Sequence, residues 1–277
     1  MTVLDAAPRL ERVARPRRFL MCRPEHFDVT YAINPWMDPS RPVDRQLALR
    51  QWDALKAAYE RLGHRVEVLP GVHGLPDMVF AANGALVVGG RALGARFTHP
   101  QRTAEAPAHA AWLRAAGIEV VAPEHVNEGE GDFVVVGDLV LAGTGFRTDP
   151  GAHGEAARVL GVEVVSLALV DPRYYHLDTC LAALGNDNIA YYPGAFSAEA
   201  LEVLERRFPD AVLASEHDAS VLGLNLVCDG RHVVICPEAV ELTDRLAEAG
   251  YVPVPVDLSE LLKAGGGVKC CTLELRA

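Results

Sequence analysis

The segment that decides the fold is GALVVGGRALGARF (84–97), in which a Gly-Gly turn separates two apolar runs directly after Asn83. Such a pattern predicts a β-hairpin. Similar β-rich segments recur along the chain, each after one polar residue. These residues are Asn83, Asp132, Asp178, Asn225 and Cys270, separated by 49, 46, 47 and 45 positions. The nearly constant spacing predicts repeated supersecondary units that bury their apolar faces against one another and bring the polar residues together.

A helical pattern and a further strand follow each of the first four hairpins. The same order holds near the N-terminus, where a strand (17–24) precedes a helix (40–63) that Gly63 ends, and a strand (65–70). The last predicted strand (268–276) pairs with the first, so the α/β fold has five units around a pseudosymmetry axis. We expect a flexible leader over 1–17 and a single domain over 18–277. A doubly wound parallel sheet is the alternative, but tight turns split the β segments and no dinucleotide fingerprint is present.

The composition is that of a globular protein, with 277 residues, 50% hydrophobic and 23% charged. The net charge of −11 disfavours nucleic acid as a partner, because phosphate binding requires clustered Lys and Arg. There is neither a membrane-length apolar run nor a secretory signal, so we expect a cytoplasmic protein without membrane contact. The six cysteines include no CxxC pair, which argues against a zinc ribbon. A monomer and a homo-oligomer are both compatible with the sequence.

Cys270 is the candidate nucleophile. It follows a glycine-rich bend (265–267) that leaves room for a planar substrate, and Lys269 beside it favours the thiolate. The alternative is a buried strand cysteine, a common fate of this residue. His176 is the candidate general acid and base, and Asp178, two residues later, shares its face of an extended segment. The alternative for His176 is a partly exposed histidine without a role.

Other polar residues could bind a substrate. Glu128 and Asp132, flanked by glycines, could hold a guanidinium cation, although an acidic surface turn with Glu130 in solvent is the commoner outcome. Arg102 and Arg147 could bind a substrate carboxylate, or form surface ion pairs of little energetic value. Asn34 and Asn83 follow apolar runs and could contact substrate, or serve as turn or cap residues. Asn34 lies in INPWMDPSRP, which is either a lid or a fixed connection.

Seven motifs in chain order resemble the guanidino-group-modifying superfamily of arginine deiminases, dimethylarginine dimethylaminohydrolases, amidinotransferases and arginine dihydrolases. The motifs are FLMCRP (19–24), INPWM (33–37), MVFAAN (78–83), EGEGD (128–132), GFR (145–147), YYHLDTC (174–180) and GGGVKCCTL (265–273). The resemblance implies a five-fold pseudosymmetric α/β propeller of ββαβ units, in agreement with the repeat. It also implies catalysis without a metal or organic cofactor on a small guanidino substrate.

The resemblance assigns roles to three residues. Cys270 matches the nucleophile that attacks the guanidinium carbon, His176 the general acid and base, and Glu128 the carboxylate that binds the guanidinium. A covalent Cys-amidino intermediate would then be hydrolysed.

Asn83 indicates the subtype, because deiminases and dimethylarginine hydrolases usually carry aspartate there. The motifs look most like arginine dihydrolases, which form ornithine, carbon dioxide and two ammonia. The alternatives are a citrulline-forming dimethylarginine hydrolase or deiminase, an amidinotransferase, or an inactive scaffold of the same fold.

Overall fold

A computed structural model of the chain describes residues 12–277. Residues 1–11, most of the predicted leader, lie outside the described part. Residues 12–17 of that leader contact the domain: the backbone N–H of Arg15 donates to the carbonyl of Asp229 at 2.9 Å, and the guanidinium of Arg12 lies 4.2 Å from the ring centre of Tyr251.

Residues 12–277 contain five three-stranded sheets, one for each predicted unit, so the predicted five-fold α/β architecture is confirmed. The sheets are β1 (Arg18–Cys22), β2 (Arg65–Leu69) and β15 (Leu273–Glu274); β3 (Ala85–Val88), β4 (Arg91–Gly94) and β5 (Glu119–Val121); β6 (Phe133–Val136), β7 (Leu139–Thr144) and β8 (Glu163–Ala168); β9 (Leu181–Ala183), β10 (Ile189–Tyr191) and β11 (Val212–Leu213); β12 (Val227–Cys228), β13 (His232–Ile235) and β14 (Val252–Pro255).

Helices connect the parallel strand pairs, because a parallel pair needs a crossover connection. Each sheet contains one antiparallel and one parallel strand pair, and the antiparallel pair is a hairpin in every sheet except the one that contains β1 and β15. The crossover helices are α1 (Arg45–Arg61), α2 (Glu105–Ala115), α3 (Pro150–Leu160), α4 (Ala198–Arg207) and α6 (Val240–Glu248). Two short helices, α5 (Glu216–Ser220) and α7 (Ser259–Leu262), precede the polar residues of the last two units.

The two ends of the described chain share one sheet. β15 pairs antiparallel with β1, with Leu20 opposite Leu273, and β1 pairs parallel with β2. The ββαβ unit that β1 begins is therefore completed by the C-terminal strand, as predicted from the repeat.

The polar residues of the repeat, which we call the repeat residues, occupy similar positions in their units. Asn83, Asp132, Asp178 and Asn225 each lie in a short turn, one to three residues before the first strand of a hairpin. Among the inner strands, β6 contacts β9, β9 contacts β12, and β15 contacts β3. The hairpin turn at Gly89-Gly90 has φ values of 58° and 72°, which glycine adopts without strain.

The last unit departs from the prediction. Residues 268–271 form a turn, and only Leu273–Glu274 of the predicted strand 268–276 is paired. The turn leaves Cys270 and Cys271 both buried, whereas a strand would have directed them to opposite faces.

Helix α1 supports this turn. Asp44 accepts the backbone N–H of Leu47 at 2.9 Å and caps α1, so the helix begins five residues later than predicted. Trp52, Leu55 and Tyr59 are buried in the hydrophobic cluster that also contains Cys270. No helix within residues 12–277 is long and apolar enough to cross a membrane.

We predict that Leu55→Ala lowers the free energy of unfolding by about 2–5 kcal/mol, because Leu55 is fully buried and its removal leaves a cavity. Asp53→Ala, on the exposed side of the same helix, should change it by less than about 1 kcal/mol, since only its exposed ion pair with Arg23 is lost. Urea denaturation followed by circular dichroism measures both. Equal effects of the two variants would contradict this account of the α1 interface.

Candidate active site

The repeat residues hold the units together by hydrogen bonds that run from one unit to the next. Asn83 Nδ2 donates to the carbonyl of Glu128 at 3.3 Å, and Asp132 Oδ1 accepts the backbone N–H of Leu177 at 3.1 Å. Each bond fixes the turn that carries the next unit's polar side chain.

The same pattern continues at the C-terminal side. Asn225 Nδ2 donates to the carbonyl of Asp178 at 3.0 Å, and Asn225 Oδ1 accepts the backbone N–H of Cys270 at 3.0 Å. The carbonyl of Cys270 accepts the N–H of Ala82 at 3.0 Å, which links the last unit to the first. We call these contacts around the axis the axial ring.

Cys270 lies inside the ring, with 2% of its surface exposed. Its Sγ donates to Asp178 Oδ2 at 3.3 Å and accepts Asn225 Nδ2 at 3.1 Å. Burial, and then the charge of Asp178, raise the pKa of the Cys270 thiol well above its ordinary value. Burial likewise raises the pKa of Asp178 to about 6. A cation bound here would favour the ionised form of both groups.

His176 belongs to a second group of interacting residues. Its Nε2 lies 2.8 Å from Glu128 Oε2, which also accepts Arg147 Nη1 at 3.0 Å. Burial opposes ionisation of Glu128, but the hydrogen bond and charge of His176, together with Arg147, hold its pKa below the ordinary value. Glu128 is therefore an ionised partner that orients the imidazole of His176.

Asn83 belongs to a third group. Its Oδ1 accepts Arg102 Nη1 at 2.8 Å, and Glu105 accepts the Nε and Nη2 of the same guanidinium at 2.9 and 2.8 Å. Arg102 and Arg147 are both buried ion-pair partners, so the surface alternative for these arginines is wrong. Their predicted contact with a substrate carboxylate stays a prediction.

These three groups border one small cavity. Predicted residues that line it are Asn34, Asn83, Arg102, Arg147 and Cys270. Glu128, His176 and Asp178 lie directly behind this lining through the contacts given above. Asp132 has a different place: its Oδ1 holds the backbone N–H of Leu177, in the turn between His176 and Asp178, so it supports the site indirectly.

The segment 31–37 lies against the cavity, which Ile33 and Asn34 line. Asn34 Nδ2 donates to the carbonyl of Ala264 at 3.0 Å, and its Oδ1 accepts the backbone N–H of Trp36 at 2.9 Å. Trp36 Nε1 donates to the carbonyl of Arg173 at 3.0 Å. Asn34 therefore fixes this segment, and its predicted contact with substrate stays a prediction.

Two expectations around the site were wrong. Glu130 is fully buried instead of solvated, and it accepts hydrogen bonds from Lys269 and Arg276. Lys269 is consequently directed to Glu130 and to the carbonyl of Thr272, away from the Cys270 sulfur. Burial of one carboxylate requires cationic partners, and Lys269 supplies one of them.

Three further residues contribute to the site beyond those proposed from the sequence as catalytic or substrate-binding residues. Asp77 and Tyr175 line the cavity, and Asn225 contacts the sulfur. Asp77 Oδ2 accepts the hydroxyl of Tyr31 at 2.8 Å, while its Oδ1 has no partner in the described part of the chain. The repeat itself pointed to Asn225, whereas Asp77 and Tyr175 stand outside it. In residues 12–277, no three His, Cys, Asp or Glu side chains are arranged to hold a metal ion.

Comparison with known proteins identifies the family. The family model described as "N,N dimethylarginine dimethylhydrolase, eukaryotic" matches residues 23–277. A dimethylarginine dimethylaminohydrolase of Mycobacterium tuberculosis is 54% identical over 95% of this chain and 87% of its own length. The chain belongs to this family. The bifunctional arginine dihydrolase/ornithine cyclodeaminase ArgZ of Synechocystis is 38% identical over 93% of the chain, which spans 37% of that protein.

Solved structures agree with both the superfamily and the fold. The substrate-bound N-terminal domain of the cyanobacterial arginine dihydrolase ArgZ has a TM-score of 0.90 and 37% identity, covering 94% of this chain and 98% of that one. The resemblance to the guanidino-group-modifying superfamily is confirmed, as is the expectation of a hydrolase that acts on C–N bonds of amidines.

We predict that Asp178→Asn makes the protein relatively more stable as the pH rises. The folded pKa of Asp178, about 6, exceeds the ordinary 3.8, so burying its ionised form costs stability progressively between these values. The stability of the variant relative to wild type should increase by about 1 kcal/mol between about pH 5 and 8. Urea denaturation across this range measures the difference.

The exposed substitution Asp244→Asn on α6 is the control, and it should follow the wild-type pH dependence. If the difference in stability between wild type and Asp178→Asn does not change with pH, Asp178 is not a buried carboxylate of raised pKa.

Proposed function

We propose that the protein hydrolyses the guanidino group of free L-arginine to ornithine, carbon dioxide and two ammonia, with Cys270 as nucleophile. One observation carries the proposal. The sulfur of Cys270 lies 3.3 Å from Asp178 Oδ2, while Asp178 Oδ1 has no partner among residues 12–277. A buried carboxylate oxygen without a donor, beside a thiol, suits a substrate that supplies N–H groups and positive charge.

The charges around the cavity favour the same substrate. Four carboxylates surround it, those of Asp77, Glu105, Glu128 and Asp178, against the two guanidinium groups of Arg102 and Arg147. Among the described residues, these six groups sum to −2 when all are ionised. Burial raises the pKa of Glu105 to about 7 and that of Asp178 to about 6, and a bound cation would favour the ionised form of both. Asp77 adds a second buried oxygen that lacks a partner. A planar guanidinium has five N–H donors and one positive charge, so it satisfies both oxygens and reduces the imbalance.

Substrate binding would also activate the nucleophile. In the free protein, burial and the negative Asp178 disfavour the thiolate of Cys270. A guanidinium cation beside the sulfur stabilises the thiolate by direct charge attraction. The thiolate then attacks the guanidinium carbon, and one C–N bond breaks. His176, held by Glu128, donates the proton that lets the departing nitrogen leave as ammonia.

Water completes the first half of the reaction. His176 takes a proton from a water molecule, the hydroxide attacks the amidino carbon, and the C–S bond breaks to give a ureido group and the free thiolate. A second attack by Cys270 on the ureido carbon expels the second ammonia, and a second water releases a carbamate. The carbamate loses carbon dioxide and leaves ornithine. Arginine and two waters thus balance ornithine, carbon dioxide and two ammonia, without a metal or organic cofactor.

The neutral side chain of Asn83 favours two successive hydrolyses of the guanidino group, which give ornithine, over a single hydrolysis, which gives citrulline. Both ends of its amide are occupied, because Oδ1 accepts Arg102 and Nδ2 donates to the carbonyl of Glu128. An aspartate here would add a negative charge that holds a cationic guanidinium more strongly than a neutral ureido group. A neutral Asn83 discriminates less between the two, so the ureido intermediate can stay bound and be attacked again.

We predict that the purified protein converts L-arginine to ornithine with two ammonia per arginine. Cys270→Ser should lower the rate by about 10³-fold or more, because serine is not ionised at neutral pH. Mass spectrometry of the products, with an ammonia assay, measures both quantities. Citrulline as the end product, or unchanged turnover in the Cys270→Ser variant, would disprove the proposal.

We further predict that Asn83→Asp shifts the product from ornithine toward citrulline, by at least about tenfold in their ratio, since one extra hydrogen bond to a charged group suffices for that change. The same mass-spectrometric assay gives the ratio. Asn188→Asp, which alters another buried asparagine bonded to the carbonyl of Asp210, is the matched control. If the Asn83→Asp variant still forms only ornithine, the role given to Asn83 is incorrect.

A second candidate function is hydrolysis of asymmetric dimethylarginine to citrulline and dimethylamine. The relative named as a dimethylarginine dimethylaminohydrolase, 54% identical, favours it. The same Cys270 and His176 would act, and dimethylamine would replace the first ammonia. Incubation with asymmetric dimethylarginine in place of arginine separates the candidates: release of dimethylamine at a rate above that of ammonia from arginine would establish this second function.

A further inference from the structure

The side chain of Asn225 contacts the candidate nucleophile through both of its ends. Asn225 is 2% exposed. Its Oδ1 accepts the backbone N–H groups of Gly267 at 3.1 Å and Cys270 at 3.0 Å. Its Nδ2 donates to the carbonyl of Asp178 at 3.0 Å and to the Cys270 sulfur at 3.1 Å. One amide thus fixes the cysteine turn and also directs an N–H group at the reactive atom.

The backbone around Asn225 is strained in a way that favours this placement. Leu222 has a φ of +56° and is the single non-glycine residue with positive φ between residues 12 and 277. Its carbonyl accepts the backbone N–H of Asn225 at 3.0 Å, which closes the turn. Such strain costs about 1–3 kcal/mol and persists where the surrounding structure enforces it, commonly at functional sites. The close approach also needs Gly267, since an added Cβ there would lie 3.1 Å from Asn225 Oδ1.

Among the other groups around the sulfur, the backbone N–H of Gly267 also lowers the pKa of the thiol, whereas no second side chain of the described residues donates to the sulfur. Asp178 lies against it and opposes its ionisation, and burial does the same. Lys269 is bonded to Glu130 and the Thr272 carbonyl. The remaining titratable or charged residues that neighbour Cys270 or line its cavity are Asp77, Arg102, Arg147, Tyr175 and Cys271. Asn225 is therefore the neutral side-chain donor to the sulfur, alongside the backbone N–H of Gly267.

We infer that Asn225 is a positioning residue that orients the Cys270 sulfur and stabilises its thiolate. The inference rests on the proposed function in taking Cys270 as the nucleophile. The two ends of the amide have separate tasks: Oδ1 holds the turn that carries Cys270, and the N–H of Nδ2 offsets part of the charge that develops on sulfur. A residue that only held the turn would need the first contact and not the second.

Asn225→Asp separates the two tasks. The aspartate keeps an oxygen for the N–H groups of Gly267 and Cys270, and these two donors favour its ionised form. It replaces the donor to the sulfur by a negatively charged acceptor. Asn225→Ala removes both contacts without adding charge, and it tests the inference if the aspartate variant does not fold. Asn188→Asp is the matched control, since Asn188 is also a buried asparagine with backbone partners, outside the site.

The measurement is the rate of alkylation of Cys270 by iodoacetamide between about pH 6 and 10. Tandem mass spectrometry resolves Cys270 from the adjacent Cys271, and the Cys270→Ser variant confirms the assignment. Below its midpoint the rate follows the thiolate fraction. We expect Asn225→Asp to lower the alkylation rate below the midpoint by about tenfold to a hundredfold, which is equivalent to a shift of the profile by one or two pH units. Asn225→Ala should lower the rate as well, and Asn188→Asp should leave it unchanged.

A wild-type alkylation profile in folded Asn225→Asp or Asn225→Ala would overturn the inference, because a purely structural asparagine leaves the thiolate unaffected. The result does not depend on arginine turnover. A shifted profile in a protein that fails to hydrolyse arginine would support the role of Asn225 and reject the proposed function. Thermal unfolding of each variant identifies those that are folded.

Discussion

The structure depends on the axial ring of hydrogen bonds between neighbouring units. The side chains of Asn83, Asp132 and Asn225 each bond to the backbone of the next unit, and the Ala82–Cys270 backbone bond joins the last unit to the first. Buried polar groups must be paired, so these contacts are required once the units meet at the axis. The ring that assembles the fold therefore also fixes the positions of the nucleophile and its neighbours.

The axial ring holds the site rigidly, but some buried polar groups of the site are not paired. Burial and the carboxylate of Asp178 disfavour the thiolate of Cys270, and oxygens of Asp77 and Asp178 have no partner in the described part of the chain. The free protein thus holds a mostly protonated Cys270 thiol among carboxylates that a cation would neutralise. In the proposed reaction, the cationic guanidinium promotes the ionisation of Cys270 that permits the first attack, and the thiolate released with the neutral ureido group makes the second.

Much of the fold and of the candidate site was predictable from the sequence, because the polar repeat and the hairpin turns depend on local chemistry. The five sheets, the first helix and the clustering of Cys270, His176 and Glu128 followed from spacing and motifs. The predictions that were wrong concern contacts between residues that lie far apart in the sequence. Lys269 was expected beside the sulfur, yet it bonds to Glu130, 139 residues away, which the sequence had placed in solvent. The predicted strand 268–276 is mostly a turn because the ring holds Cys270 at both its N–H and its carbonyl.

The pairing of β15 with β1 has a consequence for synthesis of the chain. Among the described residues, β1 is the first strand to be synthesised and β15 follows all the others, so the sheet that contains both is complete only after the strands of the other four units have been made. Cys270 precedes β15 by three residues and is enclosed in the same late step. Domains fold as units during synthesis, and here Cys270 cannot lie against Asp178 and Asn225 until the C-terminal turn 268–271 has been made. The candidate active site is therefore completed in the same step as the sheet that joins β1 and β15.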